Sequence, residues 1–239
     1  MEDDWDGIAE WYAELVRGGS AMHRFSRDIL LKALPVNVIG LDVLDVGCGE
    51  GIVSRGLAGL GARVVGVDPT RALVAHAEAA ERANPTGAVY RVDDGSSLQT
   101  VPDDSVDGVT AALSMNNIAD LDAALKSVRR VLRPGGFLVF TVPHPCFEAP
   151  ATETISTPGG VRRAVGDYFA EGLWRSTHPH SVRRAGNYHR TISTYVTAVL
   201  GLGFVLRSLD EPAPSDEVRA EAPHRLGLPP FLVISATFQ

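Results

Sequence analysis

Leu44-Asp45-Val46-Gly47-Cys48-Gly49-Glu50-Gly51 is the stretch on which the fold turns, an apolar run that passes directly into a loop with glycine at every second position. Glycine accepts a positive φ and lets a ligand lie against the main chain, close to the N-terminus of the helix that follows. A nucleotide-like ligand suits such a loop, although the spacing alone also describes a plain strand-to-helix turn. Two further positions bear on the choice. Asp68, in Val65-Gly66-Val67-Asp68-Pro69, ends the next apolar run 17 residues after Gly51, placed to accept hydrogen bonds from both hydroxyls of a ribose. Position 52 is Ile52, so the Gly-x-Gly-x-x-Gly pyrophosphate fingerprint of dinucleotide enzymes is absent and the pattern is Gly-x-Gly-x-Gly with Asp45 two residues ahead.

Outward from this loop, apolar runs bounded by Gly, Pro and Asp predict seven strands, at 43–46, 63–67, 89–92, 106–110, 137–142, 205–209 and 232–238. Helical segments such as 71–83 and 121–132 separate the first five. Strand–helix alternation predicts an α/β fold, a doubly wound and mostly parallel sheet with its ligand at the carboxyl ends of the strands, where strand order reverses. The helix from Leu121 is expected to stop at Arg133-Pro134-Gly135-Gly136, since proline cannot continue it and glycine turns into the next strand. From 143 to 188 the rhythm fails, and the segment is read as an irregular lid or insertion over the active edge of one domain, 1–239, that starts with a helical cap at 1–34.

Bulk properties narrow the class. The chain has 239 residues, 45% of them hydrophobic, a formal charge of −7 and only two cysteines. A core of full size needs no covalent staples at this length, and no apolar run reaches the roughly 18 residues of a bilayer crossing. Met1-Glu2-Asp3-Asp4-Trp5-Asp6 is acidic where a secretory leader is basic and then apolar, so the cytoplasm is the expected location. Cys48 and Cys146 lack metal-ligand or disulfide spacing and are read as small buried hydrophobes, with no metal expected. The negative charge argues against a protein that holds a phosphate backbone; no membrane and no nucleic-acid partner are expected.

With Asp45 to Gly51, Asp68, Val92-Asp93-Asp94-Gly95, Pro102-Asp103-Asp104-Ser105-Val106-Asp107 and Leu132-Arg133-Pro134-Gly135-Gly136 in this order, the chain resembles the class I S-adenosylmethionine-dependent methyltransferases. The resemblance runs over residues 5–140 and resumes near His189. It implies S-adenosylmethionine as cofactor and a site made of Asp45, Gly47, Cys48, Gly49, Gly51, Asp68, Pro69, Asp94, Gly95 and Ser114. It favours Asp94 over Asp93 for the adenine amino group, and places Tyr12, from a leading helix, near the methionine end of the cofactor. The tryptophans Trp5 and Trp11 are read either as part of that closure or as core packing.

Methyl transfer from a sulfonium needs alignment more than a nucleophile, and positioning alone can lower a barrier by on the order of 7–11 kcal/mol. No Gly-x-Ser-x-Gly elbow competes with this reading. A hydroxyl or an acidic carbon as acceptor benefits from a general base, and His144, just past the fifth strand, and His189, in Tyr188-His189-Arg190-Thr191, are the candidates; each can equally be a hydrogen-bonded structural histidine. Asn116, Phe147, Trp174, Tyr188 and Arg190 are candidates for the acceptor pocket, with Asn117 beside them. Between Phe147 and Arg190, six arginines face four acids, opposite in sign to the whole chain, which suits either an acceptor with a carboxylate or phosphate or a solvated face. The expected activity is methylation of a small molecule on oxygen or nitrogen in secondary metabolism. RNA methylation, or a methyltransferase fold that binds the cofactor without methylating, are the alternatives.

Overall fold

The structure, a computed structural model, describes residues 4–239. Two helices lead, α1 (Trp5–Arg17) and α2 (Ala21–Lys32), in the region expected as a cap at 1–34, of which residues 1–3 lie outside those described. Asp4 caps α1 by accepting the Gly7 amide at 2.8 Å, and Asp6 in the first turn with Arg17 in the last complements the helix dipole. The alternation follows as β1 (Asp42–Val46), α3 (Ile52–Gly59), β2 (Arg63–Asp68), α4 (Arg71–Ala83), β3 (Val89–Val92), β4 (Val106–Ala112), α5 (Leu121–Val131) and β5 (Leu132–Pro143).

Where the sequence suggested an irregular lid, two hairpin-like pairs stand: β6 (Glu153–Thr157) with β7 (Gly160–Ala164), and β8 (Gly172–Trp174) with β9 (Asn187–His189). β6, β7 and β8 are three to five residues long and largely exposed, and β9, buried at Asn187 and His189, has only three residues, so none shows an extended alternation in the sequence. The chain closes with α6 (Ile192–Gly201), β10 (Phe204–Asp210), α7 (Asp216–Glu221) and β11 (Phe231–Phe238).

Seven strands form one sheet in the order β10-β11-β5-β4-β1-β2-β3. β11 runs antiparallel between β10 and β5, and the remaining pairs are parallel. Order reverses between β1 and β4, so the crevice beyond their carboxyl ends is the expected place for a ligand. Helices cover both faces. Leu121, Leu125 and Val128 of α5 and Tyr195 and Val199 of α6 pack on one face, while Leu30 of α2, Val53 and Leu57 of α3 and Val74 and Ala77 of α4 pack on the other.

Two local expectations are corrected. The helix from Leu121 ends at Val131, before Arg133, because Leu132 already pairs with Val106; Gly108 pairs next with Phe137, and residues 133–136 bulge out where Pro134 owes the ladder no amide. Arg133 there joins Asp107 at 2.8 Å and Asp42 at 3.0 Å, and Arg63 meets Asp42 at 2.7 Å. This clamp sits at the amino ends of the strands, opposite the ligand edge. Cys48 is buried as expected, but Cys146 is only half-buried. Among the described residues no helix is long and apolar enough to cross a membrane, and no group of three or more His, Cys, Asp or Glu could hold a metal ion.

Candidate active site

The carboxyl end of β1 and the start of the loop are built around close approach. Gly47 has φ +68°, and a Cβ there would lie 2.3 Å from the Cβ of Ser114, whose hydroxyl donates to the Val46 carbonyl at 2.6 Å. Only glycine fits. Asp68, 7% exposed, accepts the amides of Gly49 at 3.0 Å and Thr70 at 2.8 Å, one on each oxygen. Burial raises its pKa and the two amides counter that, and each oxygen keeps a lone pair for a ligand.

A cavity of about 330 Å³ opens above this loop. Of the expected cofactor residues, Tyr12, Gly47, Gly49, Asp68, Pro69, Asp94, Gly95 and Ser114 line it. Asp45, Cys48 and Gly51 do not; they stand behind the wall. Asp45, 1% exposed, accepts Ser54 Oγ at 2.6 Å and Thr110 Oγ1 at 3.0 Å, tying β1 to α3 and β4, and burial pushes its pKa up to about 6. Burial also holds the Cys48 thiol protonated. Gly51, at φ +87°, begins α3. The adjacent acids divide their work: Asp93 accepts the amides of Asp94, Gln99 and Thr100 and the Thr100 hydroxyl, whereas Asp94 holds Ser96 and faces the cavity.

The wall also includes residues with no role in the sequence reading, among them Thr70, Leu73, Ile118 and Asp120. Leu73 and Asp120 sit near the N-termini of α4 and α5, the two helices that leave the same strand edge, and that position was the available signal. Among the described residues, Asp68, Asp94 and Asp120 are the charged residues of the wall, and no Lys, Arg or His lines it. Such a cavity favours a cation.

A second cavity of about 470 Å³ shares Trp5, Tyr12, Leu113 and Asn117 with the first. Leu113, with φ +55°, is a non-glycine residue in the left-handed region at the seam between the two. Tyr12 packs edge-on against Trp5 and against His23, both at 5.3 Å between ring centroids. Burial, and then Glu50 and Asp68, raise the Tyr12 pKa, so it remains a neutral phenol. The rest of this wall comes mainly from α2, the 176–187 part of the insertion and the 221–225 turn, and Arg184 of the insertion lies over Trp11 of α1 at 4.4 Å.

Residues 44–140 match the family model described as a methyltransferase domain. A solved S-adenosylmethionine-dependent methyltransferase from Mesorhizobium loti aligns over 92% of this chain and 99% of its own, with a TM-score of 0.74 and 29% identity. In sequence over residues 44–140 and in fold over nearly its whole length, the chain resembles the S-adenosylmethionine-dependent methyltransferases. Nocamycin O-methyltransferase of Saccharothrix syringae is 39% identical over 146 residues, 59% of this chain and 50% of that protein. The human mitochondrial ubiquinone biosynthesis O-methyltransferase is 33% identical over 125 residues, 49% of this chain and 34% of that protein. The chain therefore spans a third to a half of the lengths of these two curated relatives.

S-adenosylmethionine is the cofactor of this family, and the residues of the first cavity fit it. The volume is in the range of small-ligand sites, Asp68 keeps lone pairs for a ribose diol, Leu73 and Ile118 offer apolar surface to a base beside Asp94, and the anionic wall suits a sulfonium.

Few of the residues expected on the acceptor side line the second cavity. His144, 1% exposed, is held by Glu211 at 2.7 Å through Nε2, while Nδ1 accepts the Cys146 amide at 3.2 Å and the ring stacks on Phe147 at 4.6 Å. His189 meets the Tyr168 carbonyl through Nε2 at 2.8 Å. Neither lines either cavity. Arg190 donates to the carbonyls of Met115, Ile118 and Ala119 and fixes the loop after β4. Tyr188 donates its amide to the Asn116 carbonyl at 2.7 Å, and Trp174 lies under Arg183 at 5.6 Å. Phe147, Trp174, Tyr188 and Arg190 thus stand outside the second cavity, whereas Asn116 lines it, its side chain donating to Asn117 and Asn187. The histidines that do line it are His23, His178, His180 and His224.

Proposed function

We propose that this methyltransferase methylates an oxygen of a small-molecule acceptor seated in the second cavity. The observation that carries the reading is the wall of Trp5, Tyr12, Leu113 and Asn117 common to an anionic cavity and its neighbour, which supports a donor and an acceptor meeting across one seam. When bound, the cofactor supplies a methyl group already activated on a sulfonium. The chain's own residues then position: Asp68 holds the ribose, Tyr12 and Trp5 exclude water at the seam, and His23 faces the acceptor. Burial lowers the His23 pKa to about 4, so its ring is neutral, and Nδ1 is buried without a partner. That nitrogen accepts the hydrogen of an acceptor hydroxyl and orients its oxygen. Oxygen is favoured over nitrogen because both curated relatives are O-methyltransferases by name.

The test is transfer of labelled methyl from S-adenosylmethionine to a panel of phenols and hydroxy acids, with RNA as a separate arm. Label on an oxygen of a small molecule supports the reading. Cofactor binding with no transfer to any acceptor supports a protein that holds the cofactor without methylating, and label in RNA replaces the small-molecule reading altogether.

A further inference from the structure

Glu148 is nearly buried, its side chain 3% exposed, and three arginines converge on it: Arg183 at 2.7 Å, Arg225 at 2.8 Å and Arg163 at 3.6 Å. They come from three separate places, the β7 strand, the turn at Val182–Ala185 and the turn at Pro223–Arg225. All four side chains line the second cavity, on wall that the donor cavity does not share. One carboxylate satisfies one guanidinium, so a single acid among three arginines leaves a local excess of positive charge. Burial lowers the Arg225 pKa even with Glu148 beside it, and its Nε is buried without a partner. Among the described residues the one other acid of the wall is Glu221, already engaged in accepting the Ala21 amide at 2.7 Å and the Ser20 hydroxyl at 3.3 Å.

We infer that Arg163, Arg183 and Arg225 form an anion subsite in the second cavity, and that the acceptor carries a carboxylate. The inference rests on the reading of that cavity as the acceptor's. With histidines counted neutral, three guanidiniums against Glu148 and Glu221 leave one positive charge on the described wall, which a monoanion balances. A phosphate monoester, with a charge near −2, overshoots that balance. Arginine also presents paired N–H groups that match the two oxygens of a carboxylate. The two cavities are therefore opposite in sign, a cationic donor beside carboxylates and an anionic acceptor beside guanidiniums. A wall with only a structural role would bind three segments together and show no preference among solutes.

The experiment is calorimetric titration of benzoate and of benzamide, nearly equal in shape and different in charge, into protein with and without S-adenosylhomocysteine, whose own binding is measured first. Benzoate is expected to bind about tenfold or more tighter than benzamide. Arg225→Gln and Arg183→Gln should each weaken benzoate about five- to tenfold and leave benzamide and S-adenosylhomocysteine unchanged. Glu148→Gln, which removes the counter-charge, should tighten benzoate instead, a sign that a purely structural role does not produce. Thermal unfolding identifies any variant that fails to fold; the wild-type comparison and the remaining variants then decide. Benzoate that fails to bind, or binds no better than benzamide, overturns the subsite while a measured S-adenosylhomocysteine affinity leaves the donor reading intact. Failure of S-adenosylhomocysteine to bind overturns the donor reading on its own.

Discussion

The carboxylate of Asp68 accepts the amide hydrogen of Gly49 at 3.0 Å, so the acid that ends β2 and the glycine loop that follows β1 are one rigid unit. Asp68→Ala removes the ligand contact and also leaves the Gly49 and Thr70 amides without their acceptor. Affinity for S-adenosylhomocysteine should fall about 30-fold or more, the cost of roughly 2–3 kcal/mol for a lost charged hydrogen-bond acceptor. Asp68→Asn, which keeps the shape, should lose less. Titration of both variants checks this, and an affinity equal to wild type would remove Asp68 from the donor site.

His144 and His189 should matter to folding and not to turnover. His144→Gln gives up the Glu211 contact at a position 1% exposed, and should cost about 1–3 kcal/mol of stability with the donor affinity unchanged. Urea unfolding and methyl-transfer rates, measured side by side, separate the roles. A rate loss of an order of magnitude in a variant of undiminished stability would restore the general-base reading.

Acid titration should expose two opposed contributions. His23 has a folded pKa of about 4 against an ordinary value of 6.5, so the unfolded chain binds the extra proton and stability falls as pH drops from 6.5 toward 4. Asp45 has a folded pKa of about 6 against an ordinary 3.8, so the native state binds the extra proton and stability falls as pH rises through that window. The slopes largely cancel in the wild type. His23→Gln should leave the Asp45 slope exposed, Asp45→Asn the His23 slope, each on the order of 2 kcal/mol across its window. Unfolding midpoints over this pH range give the signs directly, and parallel curves for all three proteins would contradict both assignments.

Gly108 in β4 lies under the ring of Phe137, where a Cβ would sit 2.1 Å from the nearest ring atom. Gly108→Ala should destabilise by about 2–3 kcal/mol through overpacking. Adding Phe137→Leu to that variant should recover part of the loss. Thermal unfolding of the single and double variants tests the contact, and a single variant as stable as wild type would mean the strand accommodates the methyl freely.

The sheet was legible because its signal is local. The runs around Leu44, Val65, Val109 and Val139 are each apolar, bounded by turn residues and buried as strands, so each short stretch carries its own evidence. The same holds for the loop at Gly47 and for Asp68, whose spacing is fixed by one strand, one helix and one strand. The acceptor side was not legible because its contacts are distant in sequence. His144 lies just past the carboxyl edge of the sheet, yet Glu211, 67 positions on, holds its ring, and it lines neither cavity. Arg190 sits in a motif that suggests a pocket, and its guanidinium is spent on carbonyls more than 70 residues earlier. Arg225 lies outside the insertion whose arginines were counted, and only the fold brings it to Glu148. Trp5 shows the remaining difficulty, since packing and cavity lining use the same aromatic face and no spacing distinguishes them.

The two cavities are assembled from different kinds of chain. Most of the first cavity's wall lies at the carboxyl ends of β1, β2, β3 and β4 and at the starts of α4 and α5, held in register by the sheet, with Trp5 and Tyr12 added from α1. Half of the second cavity's wall belongs to segments at 163, 176–187 and 221–225 that contribute no strand to that sheet. Divergence can therefore act on one without the other. A descendant that exchanged these segments would inherit the same methyl donor and acquire a new substrate, and only the four shared residues, Trp5, Tyr12, Leu113 and Asn117, would have to suit both.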